Sequence, residues 1–393
     1  MNKYKHHLFI VLTIITQSCQ NTARLRENDQ SVNDSLTLVE TKNDLRFELD
    51  EFTGLITQSL QYVDYKDSSF LFFLNRHVNS LYSYNFQTKK RKILNFKKEG
   101  PNGVGKLNGF YFHNFDSIFL VSADFYKITL VVNPYMDKNK IFRTMKMTPR
   151  KIGSNSAKPL GFTGNRPYFI KNKLYILGVP DIDPTTSDFF NKGQNLQIMN
   201  LMDSTKKSKS LFTTDYKHTW SPYFYDYYHD FVRPKNSFVY SPPVSDSVIS
   251  MSLNEDITYN YAGSRYIKEI QPMSTDFSDG VNREAHYYSN ASYFMILYDK
   301  YNKLFYRFIE LPNQKAIDDN DPRKASKIAS IIILNDKLEK VGEKKLAPYE
   351  FFPIMSFVTS EGLYISQPLL NSDKSGVEEN ILRFVLFNVK KNE

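Results

Sequence analysis

Three groups of residues carry types and spacings that could do chemistry. Asn282–Asn290 (NREAHYYSN) places Arg283, Glu284, His286, Tyr287 and Tyr288 within a few positions. An acid, a base and phenols so close could bind a polar ligand or move a proton. His218–Pro234 (HTWSPYFYDYYHDFVRP) holds the only tryptophan, Trp220, with Tyr223, Tyr225, Tyr227, Tyr228 and His229. Flat amphipathic rings on a loop would stack on sugar rings or grip a peptide. Arginines recur ahead of apolar runs, as Arg166 in GNRPYF, Arg233 in FVRPKN and Arg283 in NREAHYY. Guanidiniums gathered at one place favour carboxylate or phosphate through bidentate bonds.

Each group has an equally concrete structural alternative. The charged cluster could be an ion pair beside packed tyrosines, the aromatic run could alternate into a core, and the arginines could brace turns by bonding loop carbonyls. For metals, Asp181, Asp183 and Asp188, and again Asp318, Asp319 and Asp321, offer oxygens to calcium. Neither set follows the ligand order of an EF-hand loop, and both contain Asp-Pro turns. Calcium is therefore a weak option, and no cofactor is predicted. His77, His113, His218, His229 and His286 show no paired ligand spacing, and the motifs of zincins, serine hydrolases, P-loops and dinucleotide folds are absent. These absences favour binding over catalysis. The alternative is an envelope enzyme acting on polysaccharide or peptide.

Cys19 is the one cysteine. Before it come Lys3 and Lys5, an apolar stretch from Leu8 to Ile15, and Thr16-Gln17-Ser18. That order is the layout of a bacterial export signal. Eight apolar residues span about 12 Å as a helix, too little to cross a bilayer. The run resembles a lipobox, although Thr16 stands where an aliphatic residue is usual. The resemblance implies a signal over residues 1–18 and lipid attachment to Cys19. Gln20 in place of aspartate then points to the outer membrane, with the periplasmic and surface faces both open. Residues 19–43 are mostly polar and are expected to form a tether with a reach of about 27 Å. A single domain over 44–393 follows.

The elements that must position these groups are strands. The composition is 41% hydrophobic with 27 Tyr and 31 Phe, ample for a packed β core. With one cysteine there is no disulfide framework and no Cys-based zinc site. The net charge of +9 lacks any nucleic-acid motif, and lysines sit in turn-like positions such as Lys89–Lys92 and Lys206–Lys209. No nucleic-acid partner is expected; a soluble surface that is simply rich in lysine accounts for the charge first, and attraction to anionic lipid or polysaccharide comes before nucleic acid, while the expected partners are a glycan, a peptide or an envelope protein.

Two segment types alternate along the chain. One is a β-run, a polar turn and a second β-run, as in LYSYNFQTKKRKIL, ITLVVNPYMDKNKIF, LQIMNLMDSTKKSKSLF, VISMSLNEDITYNYA and ASIIILNDKLEKVGEKKL, with RFVLFNV at the end. The other precedes each copy: SSFLFFLN, SIFLVSADF, NKLYILGV, NSFVYSP, ASYFMILYD and EGLYISQP. These start 49, 55, 64, 55 and 70 residues apart. Such periods mark a β-propeller of about four antiparallel strands per blade. Six blades fit best; seven would need another within residues 265–328. A pair of β-sandwiches accounts less well for the two-part repeat. The run LRFELDEFTGLI could close the ring against the final strand and remove the exposed edges. The lipobox-like start, the EGPNGVG turn (Glu99–Gly105) and the blade pattern resemble a family of uncharacterised propeller lipoproteins of Bacteroidota-type bacteria. The turn is also similar to those that follow the last strand of a blade in NHL-type propellers.

Overall fold

The computed structural model describes residues 34–392 apart from 136–139, 147–153, 214–229, 235–236, 274–279, 313–326, 368–379 and single positions 58, 125, 185 and 349. Residues 1–33, with Cys19 and the expected export signal, lie outside the described residues.

Six small antiparallel sheets form a six-bladed propeller. Blade 6 takes its outermost strand from the N-terminus: β1 (Leu36–Glu48) pairs with the last strand of the chain. Blade 1 runs outward from the channel as β2 (Leu60–Tyr65), β3 (Ser68–Asn75), β4 (Ser80–Asn85) and β5 (Arg91–Asn95). Blade 2 follows as β6 (Leu107–Asn114), β7 (Ser117–Ser122), β8 (Lys127–Val132) and β9 (Lys140–Lys146). Blade 3 has a broken inner strand, β10 (Ser154–Pro159) and β11 (Tyr168–Ile170), both paired with β12 (Lys173–Asp181). A short helix, α1 (Ser187–Lys192), leads to β13 (Leu196–Asn200) and β14 (Lys206–Lys209). Blade 4 comprises β15 (Asp230–Val232), β16 (Ser237–Ser241), β17 (Ser247–Ser252) and β18 (Ile257–Tyr261). A second helix, α2 (Gly280–Ser289), precedes β19 (Ser292–Asp299), β20 (Leu304–Leu311), β21 (Ile328–Leu334) and β22 (Lys340–Lys345) of blade 5. Blade 6 is β23 (Phe352–Thr359), β24 (Gly362–Ser366) and β25 (Ile381–Lys391), closed by β1.

The core is six layers between blades, which explains why five of the six second strands carry an unbroken apolar stretch. On β3, Leu71 and Phe73 pack toward blade 6, whereas Phe72 and Leu74 pack toward blade 2. Both faces of a blade are buried, so side-chain alternation distributes apolar residues between two neighbours instead of between core and solvent. Phe72 and Phe112 stack at 4.2 Å across one such seam. β1 serves two layers at once, giving Leu38 to the blade 5–6 seam and Phe47 to the blade 6–1 seam.

The ring closure expected from LRFEL is present, with Leu45 opposite Phe384. Two expectations need correction. The tether does not extend to residue 43, because β1 begins at Leu36. Its register shifts between Glu40 and Asp44, and of its residues only Leu38 and Phe47 are buried, so the outer strand lacks a sustained apolar alternation. The segment ASYFMILYD is the inner strand β19, not a second strand like its counterparts. The true second strand is β20, LFYRFIEL, whose Arg307 and Glu310 disguise it. With it in place, second strands start 49, 56, 64, 67 and 58 residues apart.

Candidate functional site

A cavity of about 570 Å³ occupies the channel. Its walls come from the inner strands of blades 1, 4, 5 and 6 and from the break in blade 3: Leu60, Tyr62 and Asp64 of β2; Thr163, Arg166 and Tyr168; Val232 and Arg233 at the end of β15; Leu297 and Tyr298 of β19 with the following turn; and Ser356, Phe357 and Val358 of β23. That turn adds Lys300, Tyr301 and Lys303, so the described residues of the lining hold four cations and one carboxylate.

The break between β10 and β11 carries Arg166 into the channel. Residues 160–167 leave the blade where Gly161 passes against Gly109 of β6; a Cβ at position 109 would lie 1.9 Å from the Gly161 carbonyl oxygen. Gly161 has φ +75°, a backbone region that favours glycine. The excursion is held by the buried Asn108, which donates to the Leu160 carbonyl at 2.5 Å, by the Phe162 amide donating to Asn165 at 2.9 Å, and by Thr163 accepting from the Leu60 amide at 3.2 Å. The Arg166 guanidinium then lies 5.7 Å from the Tyr168 ring centroid.

The turn after β19 is organised by Asp299, which is fully buried. Its carboxylate accepts from the Tyr301 amide (2.9 Å), the Asn302 amide (3.0 Å), the Asn302 side chain (2.8 Å) and the Tyr306 hydroxyl (2.9 Å). So fixed, the turn delivers Lys300 and Tyr301 to Asp64. That carboxylate accepts from Lys300 Nζ at 2.6 Å, Tyr62 at 2.5 Å, Ser69 at 3.0 Å and Tyr301. Burial alone would raise the Asp64 pKa, but the donors from Lys300, Tyr301 and Tyr62 outweigh it and hold the group near 2. Burial and the adjacent Asp64 push Tyr62 up to about 12, and both act in the same direction on Tyr301. Tyr62 also stacks on Phe357 at 5.6 Å. Tyr111 of β6 is raised to about 12 by burial, while Arg166 and Arg233 oppose the shift.

Of the residues singled out from sequence, the structure brings Arg166 and Arg233 to this cavity. Arg283 and His286 are on α2 and do not line it; the Glu284 side chain is outside the described residues, as are Trp220, Tyr223, Tyr225, Tyr227, Tyr228 and His229. On α2, Tyr287 donates to Glu310 at 2.5 Å, its ring lies 3.9 Å from Lys327 Nζ, and burial lowers the His286 pKa. Asp181 accepts from Lys158 at 2.7 Å and Tyr126 at 2.9 Å, and Asp188 pairs with Lys192 at 2.7 Å. Among the described residues no group of three or more His, Cys, Asp or Glu could hold a metal. Sequence reasoning missed Asp64, Lys300, Tyr301 and Lys303. A signal existed: YVDYKD and LYDKYN each end an inner strand with Asp and tyrosine beside lysine.

The profile of a domain of unknown function, DUF4221, matches residues 35–345. In structure, the chain is similar to a member of the DUF4221 family from Bacteroides vulgatus, with 22% identity and a TM-score of 0.74, covering 92% of this chain and 100% of that one. It is also similar to a Bacteroides fragilis protein described as exported, with 10% identity and a TM-score of 0.56, covering 92% and 98%. No curated protein matches the sequence.

Proposed function

Since the chain belongs to the DUF4221 family, whose defining domain has no known function, we propose that it is a binding module of the cell envelope that takes an anionic ligand in the channel of its propeller. The observation that carries this is the charge of the cavity. Among the described residues of the lining, Arg166, Arg233, Lys300 and Lys303 stand with one carboxylate, Asp64, which already accepts from Lys300 and three hydroxyls. A carboxylate or phosphate ester entering there meets cations in a partly desolvated site, where charge-assisted bonds are strong. Tyr62, Tyr168, Tyr298 and Phe357 supply flat apolar walls for the rest of the ligand. The volume lies in the range of small-ligand sites. Binding is favoured over catalysis because Asp64, the one carboxylate among the described lining residues, is held ionised and saturated with donors, a poor general acid or base.

The location belongs to the same proposal. The apolar run Leu8–Ile15, with Cys19 four residues beyond it, supports export and lipid anchoring at the outer membrane, in line with the description of the Bacteroides fragilis protein as exported. The aromatic run Trp220–His229 directly precedes β15 in the chain, and we assign it a share in ligand contact.

Calorimetric titration with oligogalacturonate, its neutral methyl ester and inorganic phosphate tests the ligand class. The acid should bind, the ester should not, and affinity should fall as salt rises. Arg166→Gln with Arg233→Gln should weaken binding by about 100-fold or more, since a hydrogen bond to a charged group contributes about 1.5–3 kcal/mol. Equal binding of acid and ester, or an unchanged double variant, refutes the site. Palmitate labelling that disappears in Cys19→Ala tests the anchor.

A further inference from the structure

A second concentration of cations lies at the other end of blade 1. The register of β2 with β3 sets Leu60 opposite Phe73 and Tyr65 opposite Ser68. Asp64 of the channel site is therefore at one end of the blade and the β3–β4 turn at the other. Against that turn is a depression of about 520 Å³, lined by Thr53, Ile56, Arg76, His77, Lys98 and Lys106 among others, with no carboxylate among the described residues of its walls. Glu51 and Glu99 occupy the same loops but are not part of the lining. Asp50 is engaged by Thr53 and Tyr82.

The walls are rigidly built. Asn75, buried, donates to the Phe52 carbonyl (2.9 Å) and Thr53 (3.0 Å) and accepts from the His77 amide (3.1 Å), tying the loop after β1 to the β3–β4 turn. Asn79, also buried, donates to the Phe96 and Gly105 carbonyls (both 3.0 Å) and accepts from the Leu107 amide (2.8 Å). It thereby holds the Glu99–Gly105 turn, which separates Lys98 from Lys106, against the same β3–β4 turn.

The same loops expose apolar side chains. Phe52 is 59%, Ile56 47% and Val78 39% exposed. Three large apolar residues on the rim of a cationic depression match one surface, an anionic bilayer: phosphates meet the cations while apolar side chains enter the headgroup boundary. A single acyl chain binds membranes only marginally, whereas one chain with a basic patch binds stably.

We infer that this end of blade 1 docks on an anionic phospholipid surface, with a lipid phosphate seated between Arg76, Lys98 and Lys106 and with Phe52, Ile56 and Val78 at the acyl boundary. The surface acts independently of the channel site and of any lipid on Cys19.

The test uses the chain from residue 20 onward, which keeps every described residue and lacks both the apolar run and Cys19. It should float with vesicles of phosphatidylcholine containing a third phosphatidylglycerol, and not with phosphatidylcholine alone. Arg76→Gln, Lys98→Gln and Lys106→Gln should each lower partitioning about fivefold at moderate salt, and together about 100-fold. Phe52→Ser with Ile56→Ser should lower it as well, with an unchanged melting temperature. Millimolar inorganic phosphate should leave flotation intact. Competition by phosphate would make this a free-anion site and overturn membrane docking. Equal binding to both vesicle types, binding to neither, or a triple variant that floats like the parent would overturn it too.

Discussion

Replacing Arg307 should be the most damaging single substitution in the described structure. Arg307 is on β20, the second strand of blade 5, and is completely buried. Its guanidinium reaches into blade 4 and donates to the carbonyls of Ser245 (2.7 Å), Ala262 (2.9 Å), Pro242 (3.1 Å), Asp246 (3.3 Å) and Ser247 (3.4 Å), and to Ser241 Oγ at 3.0 Å. It also stacks 3.6 Å from the Tyr293 centroid. Apolar replacement of a buried ion pair is often neutral, because both charges vanish together. Here the acceptors are mainly backbone carbonyls that no substitution removes. Arg307→Met leaves at least the three closest of them, Ser245, Ala262 and Pro242, buried without a donor. At about 1–3 kcal/mol per orphaned group, offset partly by the burial cost no longer incurred by the charge, the net loss is about 3–5 kcal/mol. For a domain of this size about 2 °C is lost per kcal/mol, so melting should fall by roughly 6–10 °C. Arg307→Lys keeps the charge but cannot fork to acceptors on several sides, and should recover less than half of the loss. Thermal melts followed by circular dichroism, with urea titrations alongside, read this directly. A Met variant melting within about 2 °C of the parent would show that the blade 4 carbonyls find other donors, and the reasoning fails.

Three further outcomes follow from the same geometry. Burial pushes the Lys327 pKa down to about 8, with Glu310 opposing; between there and the ordinary value of 10.5 the unfolded chain holds more protons than the folded one. Stability measured by urea unfolding should therefore rise from pH 8 to 9.5, and Lys327→Met should abolish that rise; a slope that persists in the variant refutes the assignment. Asp299→Ala removes four bonds from the turn that presents Lys300 and Tyr301, so anion affinity in the channel should drop about tenfold or more while Lys300→Ala alone costs less, as titration of both variants would reveal. Gly109→Ala should cost several degrees of melting temperature and weaken ligand binding together, because the new Cβ collides with the loop carrying Arg166; a variant that binds normally would mean the loop has room to shift.

The β-propeller was legible because its blades share one physical demand. Each sheet buries both faces, so the runs SSFLFFLN, SIFLVSADF and EGLYISQP each carry an unbroken apolar stretch, separated by turns of Asn, Asp and Lys whose chemistry is local. Arg166 and Arg233 were visible as arginines at recurring positions before apolar runs. The boundary of the N-terminal strand was not visible, since β1 buries few side chains and its register shifts midway. The role of Arg307 was hidden as well: a charged residue in a strand marks an edge in sequence terms, and only the facing carbonyls of blade 4 reveal it as a buried cross-blade anchor.

The sequence by itself determined what depends on neighbours along the chain: strand content, the repeat, the export-like start and its single cysteine. Tertiary structure alone decided which charges meet. Asp64 and Lys300 have three whole blades between them in sequence and lie 2.6 Å apart in space, and the Thr163–Arg166 excursion enters the channel because two glycines of different blades pass in contact. Ring closure brings blade 1 beside blade 6 and points every inner strand at one axis, so local spacing marks single members such as Arg166 and Arg233 but not which of them meet.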